Sequence, residues 1–164
     1  MKHIAIATIG AMLLPGIAHA ASTSSTTTGT TSATVVAPQN LSHVGTAALN
    51  FGAFMPGTGG TVTVSTAGTG TVSGGVTFVA GSATAADSFR LVGGFLQYVT
   101  ISTSGGTVTS GTNAMSFTTT PSTTGSLFLL GGTATFTVGG TLTVPASQGP
   151  GTYTGTYTVI ATYL

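Results

Sequence analysis

The chain has 164 residues, and only 2% of them are charged, against about 25% in an average soluble domain. Besides histidine, the charged side chains are Lys2, Arg90 and a single acid, Asp87. One acid cannot supply the two carboxylates of paired acid–base catalysis, and two cations cannot neutralise a row of phosphates. Cysteine is absent, which excludes disulfides and thiolate sites. The composition therefore argues against an enzyme, a nucleic-acid-binding protein and a metalloprotein, and we expect no cofactor.

The N-terminal residues 1–20 have the pattern of a secretory signal peptide. Lys2 precedes an apolar run over residues 4–14, Pro15-Gly16 interrupts it, and Ala18-His19-Ala20 supplies small residues for cleavage after Ala20. The run is too short to cross the roughly 30 Å of a bilayer's hydrocarbon core. We expect an exported protein that passes through the periplasm and ends at the cell surface or outside the cell.

The mature chain begins with a low-complexity segment, residues 21–32, made almost entirely of serine and threonine. We expect this segment to be a flexible leader, since it holds no residue able to anchor a core. From residue 33 to 164 the pattern changes to short runs in which apolar residues occupy every second position. That period is typical of strands with one buried face.

The predicted strands, in chain order, are residues 47–51, 61–65, 72–78, 88–92, 99–101, 115–117, 136–138 with 142–144, and 153–163. Glycine pairs such as Gly139-Gly140 are expected at turns or strand kinks. No window has a helical period with capping residues. About seven to eight strands over residues 33–164 predict one all-β domain, an antiparallel β-sandwich.

A few polar residues deserve an interpretation of their own. Asp87 and Arg90 are close enough in sequence to form a solvent-exposed ion pair. Between them, Phe89 begins an alternation with Leu91 that predicts a core-facing side of the strand. His43, Asp87 and a serine would formally complete a nucleophilic triad, but no Gly-x-Ser-x-Gly turn is present. Scattered polar residues are therefore the preferred interpretation.

The edges of the predicted sheets lack the usual protection against strand pairing. The chain beyond residue 20 contains no lysine, and its net charge is zero because Arg90 and Asp87 cancel. Soluble β-proteins guard their edge strands with lysine, proline or inward-pointing charges. We favour edges that a partner covers by strand addition. The alternative is a monomeric Ig-like module whose edges are blunted by glycines and bulges.

Several motifs resemble those of a known bacterial family: residues 49–52, 55–65, 71–77, 139–144 and 151–159. This is the pattern of the exported domain-of-unknown-function family numbered 4402. That family is in turn similar to spore coat protein U and to archaic chaperone–usher pilin domains. The resemblance covers roughly residues 33–164 and implies an Ig-like, pilin-like sandwich.

Pilin domains of that kind lack one strand, which the N-terminal extension of the next subunit supplies. The resemblance implies a donor in the segment around residues 33–44, with Thr34, Val35, Val36 and Ala37 as the candidate donor strand. It also implies a terminal strand, residues 153–164, that borders the acceptor groove. Pilin chains of that kind have an aromatic residue in the second-to-last position and a glycine fourteen positions from the end. The resemblance assigns these places to Tyr163 and Gly151. The candidate terminal assembly residues are Gly151, Tyr153, Tyr157, Val159, Ala161 and Tyr163.

The expected function is that of an exported, non-enzymatic structural subunit of a bacterial surface fibre or coat. Its expected partners are copies of itself or related subunits, and the resemblance adds a periplasmic chaperone and an outer-membrane usher. The alternative is a monomeric secreted module that adheres to a surface or binds a ligand.

Overall fold

Alternation of apolar side chains with threonine and serine makes the regular elements of this chain β-strands. The computed structural model describes residues 27–164, and within this range it contains thirteen strands and no helix, hence none able to cross a membrane. The predicted all-β antiparallel sandwich is thereby confirmed. The predicted signal peptide, residues 1–20, and the leader up to residue 26 lie outside the described residues.

The strands are β1 (Asn40–His43), β2 (Phe54–Met55), β3 (Gly60–Val64), β4 (Gly70–Gly74), β5 (Thr77–Phe78), β6 (Asp87–Val92), β7 (Gln97–Thr103), β8 (Gly106–Ser110), β9 (Asn113–Pro121), β10 (Ser126–Leu129), β11 (Thr133–Val144), β12 (Thr154–Gly155) and β13 (Val159–Tyr163). Their number exceeds the expected seven to eight because two predicted runs divide into shorter pieces and because β1, β2, β8 and β10 lie outside the predicted runs. Residues 72–78, for example, divide at Gly74, where φ is +68°. Of residues 47–51, only Asn50 pairs, in an isolated bridge to Ala85.

All strand pairs in the described range are antiparallel. The larger sheet has the order β1-β6-β11-β9-β8-β12, with β3 paired to β11 and β4 paired to β3. A second sheet has the order β10-β7-β13, and β2 pairs with β5. The compact unit that contains these sheets spans Val35–Leu164, and the sheets form a curled, sandwich-like arrangement.

The longest strand, β11, decides between the two positions expected for Gly139-Gly140, a turn or a strand. These glycines lie inside the strand rather than at a turn. A Cβ atom on Gly139 would lie 2.3 Å from the Val64 carbonyl oxygen, and one on Gly140 would lie 2.5 Å from the Thr118 carbonyl oxygen. The missing side chains therefore let neighbouring backbone approach β11 closely.

The core consists of two apolar clusters. The first contains Phe89, Leu91, Val99, Ile101, Leu129, Phe136 and Val138. The second contains Val62, Val76, Met115, Phe117, Leu142 and Val144. Tyr157 packs against both clusters, with edge-to-face contacts to Phe89 and Phe117 at centroid distances of 6.4 and 6.2 Å. The prediction that Phe89 and Leu91 face the core is confirmed.

Candidate functional site

A cleft of about 1230 Å³ opens along one side of the sandwich. One wall is the segment of residues 48–56, and the opposite wall is the segment of residues 148–157. The floor is the second apolar cluster, represented by Met115, Phe117 and Leu142. The cleft therefore reaches down to the buried core between an early and a late part of the chain.

A smaller cavity, of about 200 Å³, continues the opening between the same two parts of the chain. Leu41 of β1 and Val159 of β13 line it, with Phe89 of the first cluster beneath. His43 and Tyr157 line both the cavity and the larger cleft. The two spaces thus form one seam, from β1 and β13 at one end to residues 56 and 148 at the other.

Both borders of the seam carry strand edges that have no partner strand in the described part of the chain. Within residues 27–164, β1 pairs only with β6, β12 only with β8, and β13 only with β7. An unpaired edge presents a row of backbone N–H and C=O groups that a further strand can bond. The seam therefore combines apolar pockets with backbone donors and acceptors.

One stretch of the β13 edge is covered by a side chain. In the orientation that satisfies both of its polar atoms, the Gln39 carboxamide donates to the Ala161 carbonyl oxygen at 3.0 Å. It also accepts from the Tyr163 N–H at 3.1 Å. Nearby, the Tyr163 hydroxyl donates to the Ala37 carbonyl oxygen at 2.9 Å and accepts from the Gly94 N–H. The end of β13 near Tyr163 is thus closed by the chain itself, whereas the edge near Val159 adjoins the cavity.

A buried carboxylate joins the two borders of the seam. Asp87, at the start of β6, is only 2% exposed. Its Oδ1 atom lies 3.1 Å from His43 Nδ1 on one border, and its Oδ2 atom accepts from the Tyr157 hydroxyl at 2.7 Å on the other. Oδ1 also accepts from the Ser88 N–H at 2.8 Å. Three donors thus satisfy the charged group that burial would otherwise penalise.

The environment of Tyr157 keeps its hydroxyl protonated. Burial raises the pKa of Tyr157 well above its ordinary value, and the hydrogen bond to Asp87 and the negative charge of that carboxylate raise it further. The phenol is therefore a permanent donor to Asp87 at physiological pH.

The predicted ion pair between Asp87 and Arg90 is wrong. Residues three apart on a strand point to opposite faces, so Asp87 is buried while Arg90 is exposed. Asp87 instead pairs with His43, the other titratable member of the formal triad. Among the described residues, the hydrogen bonds of the His43 ring include no serine hydroxyl.

The family model described as "Domain of unknown function (DUF4402)" matches residues 40–163. The chain belongs to the DUF4402 family. It matches no curated protein and no solved structure. The DUF4402 match begins at β1 and ends at the last residue of β13. It therefore includes both borders of the seam and excludes the leader.

The candidate donor residues lie just before the DUF4402 match. Thr34, Val35, Val36 and Ala37 are exposed and form no strand, and Val35 is 95% exposed. The donor segment does not extend as far as residue 44, because residues 40–43 form β1 and pair with β6 of their own chain. The role of residues 34–37 as a donor stays a prediction.

The candidate terminal residues all lie along the late border of the DUF4402 domain. Tyr157, Val159, Ala161 and Tyr163 pack against the first apolar cluster. Tyr153 packs against the second cluster, and its hydroxyl donates to the Gly149 carbonyl oxygen at 2.7 Å. Gly151 lines the cleft close to Ser110. Their part in assembly stays a prediction as well.

Sequence reasoning missed the early border and the bridge across the seam. Residues 48–56 line the cleft, but alternation alone does not show that this segment, whose partners are residues 77–85, lies opposite the late part of the chain. His43 was noted only as a formal triad member, although it is the sole histidine after residue 20 and Asp87 is the sole acid. In a chain with so few titratable groups, that scarcity was the available signal for their pairing.

Proposed function

We propose that this DUF4402 domain is an exported structural subunit of a bacterial surface fibre or coat, assembled by strand addition. In this proposal an extended segment of one subunit enters the seam of the next. Backbone groups on the unpaired edges bond the incoming strand, and the apolar floor takes its alternate side chains. The single observation that carries the proposal is the seam, which is bordered by strand edges without a partner strand among the described residues and has an apolar floor.

The size of the cleft favours a polypeptide over a small molecule. Its volume of about 1230 Å³ lies above the range of about 300–1,000 Å³ that is usual for small-molecule sites. The smaller cavity between Leu41 and Val159 adjoins it, since His43 and Tyr157 line both spaces. A large site bordered by edge backbone suits an extended chain.

The candidate donor strand, residues 34–37, is the segment of the same chain best placed to act as the donor. It lies between the leader and β1, and Val35 and Val36 are its large apolar side chains. Donation to a neighbour breaks the hydrogen bond from Tyr163 to the Ala37 carbonyl oxygen and replaces it with a ladder in the next subunit. Because such contacts run head to tail, they generate an open-ended assembly. A periplasmic chaperone and an outer-membrane usher belong to the proposal as assembly partners.

Light scattering after size exclusion tests the proposal on residues 21–164. We expect polydisperse assemblies that grow with concentration. The double substitution Val35→Asp with Val36→Asp places two charges where the floor is apolar and should leave species no larger than a dimer. The control, Thr30→Asp with Thr31→Asp, adds the same charge beside the donor and should still assemble.

Two results would count against strand addition. One is a folded monomer for residues 21–164 at every concentration, which would favour the alternative of a monomeric adhesive or ligand-binding module. The other is equal assembly by the Val35/Val36 and Thr30/Thr31 variants, since the candidate donor strand would then not enter the seam.

A further inference from the structure

The outer face of the β10-β7 strand pair and the adjoining loops carry an exposed apolar patch that lines neither the cleft nor the smaller cavity. Its members are Phe95, Leu96, Tyr98, Phe128 and Leu130, which we call the apolar platform. Each is between 38% and 66% exposed. No lysine, arginine, aspartate or glutamate side chain belongs to it.

The platform is continuous. Tyr98 of β7 and Phe128 of β10 are register partners, and their ring centroids are 4.7 Å apart. The loop that carries Phe95 and Leu96 is tied to the end of β10, because the Leu96 N–H donates to the Leu129 carbonyl oxygen at 2.9 Å. Leu130 follows directly, and Leu164 borders the patch through its N–H bond to the Tyr98 carbonyl oxygen.

One member of the platform combines exposure with an unfavourable backbone conformation. Leu96 has a φ of +56°, a left-handed conformation that costs a residue with a Cβ atom about 1 kcal/mol or more. A glycine would adopt this backbone without strain, yet a leucine stands here with half its surface in water. An exposed apolar side chain at a strained position is one that a contact with a second subunit would bury.

We propose that the apolar platform is a contact surface between two copies of this chain, packed sheet to sheet. The five residues expose on the order of 600 Å², since an aromatic side chain offers about 150–250 Å². That is at the upper limit for monomers, roughly 300–600 Å². A stable interface takes about 800 Å² from each partner, and the serines and threonines on the same sheet face supply the remainder.

Charge favours a second copy over other occupants. An anionic membrane or an acidic partner is recognised by basic clusters, and the described chain has one arginine and no lysine. Two copies can meet without like-charge repulsion, because the platform contains no charged side chain. When the platform of one copy packs against the platform of another, assembly stops at the dimer. This contact is therefore distinct from strand addition through the seam and does not depend on it.

Analytical ultracentrifugation over a concentration series tests the platform. The chain is residues 21–164 with Val35→Asp and Val36→Asp, so that donor-dependent assembly does not mask a dimer. We expect a concentration-dependent dimer. Phe128→Thr with Leu130→Thr should raise its dissociation constant at least about tenfold, as removal of interface hot spots does. Val92→Thr, at an exposed apolar residue of β6 outside both the platform and the seam, should leave the constant unchanged.

Leu96→Gly provides a variant that relieves strain and therefore does not unfold the protein. It should weaken the dimer while the thermal unfolding temperature of the monomer stays equal or rises. A monomer at all concentrations, or a dimer that the Phe128/Leu130 variant does not weaken, would overturn the proposal. So would a protein that stays monomeric and binds phosphatidylcholine vesicles through the platform, because the occupant would then be lipid.

Discussion

Removal of the Tyr157 hydroxyl tests the bridge between the borders of the seam. Tyr157→Phe keeps the ring that packs against Phe89 and Phe117 but removes the 2.7 Å bond to Asp87 Oδ2. Asp87 is 2% exposed, so water does not readily replace the lost donor. Hydrogen bonds to charged groups contribute about 1.5–3 kcal/mol, and we expect the free energy of unfolding to fall by about 2 kcal/mol.

The matched control is Tyr153→Phe on the same border. The Tyr153 hydroxyl bonds only neutral groups, the Gly149 carbonyl oxygen and the Gln148 amide, and neutral bonds contribute about 1 kcal/mol or less in net terms. Urea unfolding of the Val35/Val36 variant, followed by circular dichroism, measures both changes. Equal losses for the two substitutions, or no loss for Tyr157→Phe, would refute the reasoning that the buried carboxylate depends on this donor.

Three further predictions concern pH, close backbone approach and core burial. The pKa of Tyr157 is higher in the folded than in the unfolded chain. The protonated hydroxyl therefore contributes fully to the free energy of unfolding at any pH below the unfolded pKa, which is about 10. As the pH rises above that value, the free energy of unfolding falls by about 1.4 kcal/mol per pH unit because of this group. Tyr157→Phe should lack this part of the fall. Urea titrations at pH 9 and pH 11 measure the difference. Gly140→Ala should destabilise the fold by about 1–3 kcal/mol, because the added Cβ atom would overpack against the Thr118 carbonyl oxygen. Gly131→Ala, with open space around it, should be nearly neutral in the same assay. Similar values for the two variants would contradict the close backbone approach at Gly140. Leu91→Ala, at a fully buried site, should cost about 2–5 kcal/mol, and a loss under 1 kcal/mol would contradict its place in the core.

Alternation predicted most strands that have two or more apolar residues on their buried face. The exception is β10, where Leu127 and Leu129 face the core but Phe128 and Leu130 make the run continuously apolar and hide the period of two. β3, β6, β7 and β9 fall where the pattern placed strands. β1 and β8 were missed because each contributes a single large apolar residue, Leu41 or Val108, and a period of two cannot be seen in one residue. These strands form through backbone pairing with β6 and β9, which the local sequence does not record.

The candidate site was less predictable than the fold because it depends on contacts distant in sequence. Asp87 is 44 residues from His43 and 70 from Tyr157. Arg90 is the nearer partner in sequence, but strand geometry turns it to the other face. The open seam is likewise a property of tertiary arrangement, since whether an edge such as that of β13 finds a partner is decided by the whole topology.

The central claim is that the candidate donor strand, residues 34–37, enters the seam of another subunit. A tryptophan-labelled peptide tests this claim most directly. The chain contains no tryptophan, so a peptide of residues 30–39 with an added N-terminal tryptophan reports only its own environment. Titration with the Val35/Val36 variant of residues 21–164 should shift the emission to shorter wavelength and saturate. A control peptide with aspartate at positions 35 and 36 should not shift. No shift at millimolar peptide, or the same shift with both peptides, would contradict the account.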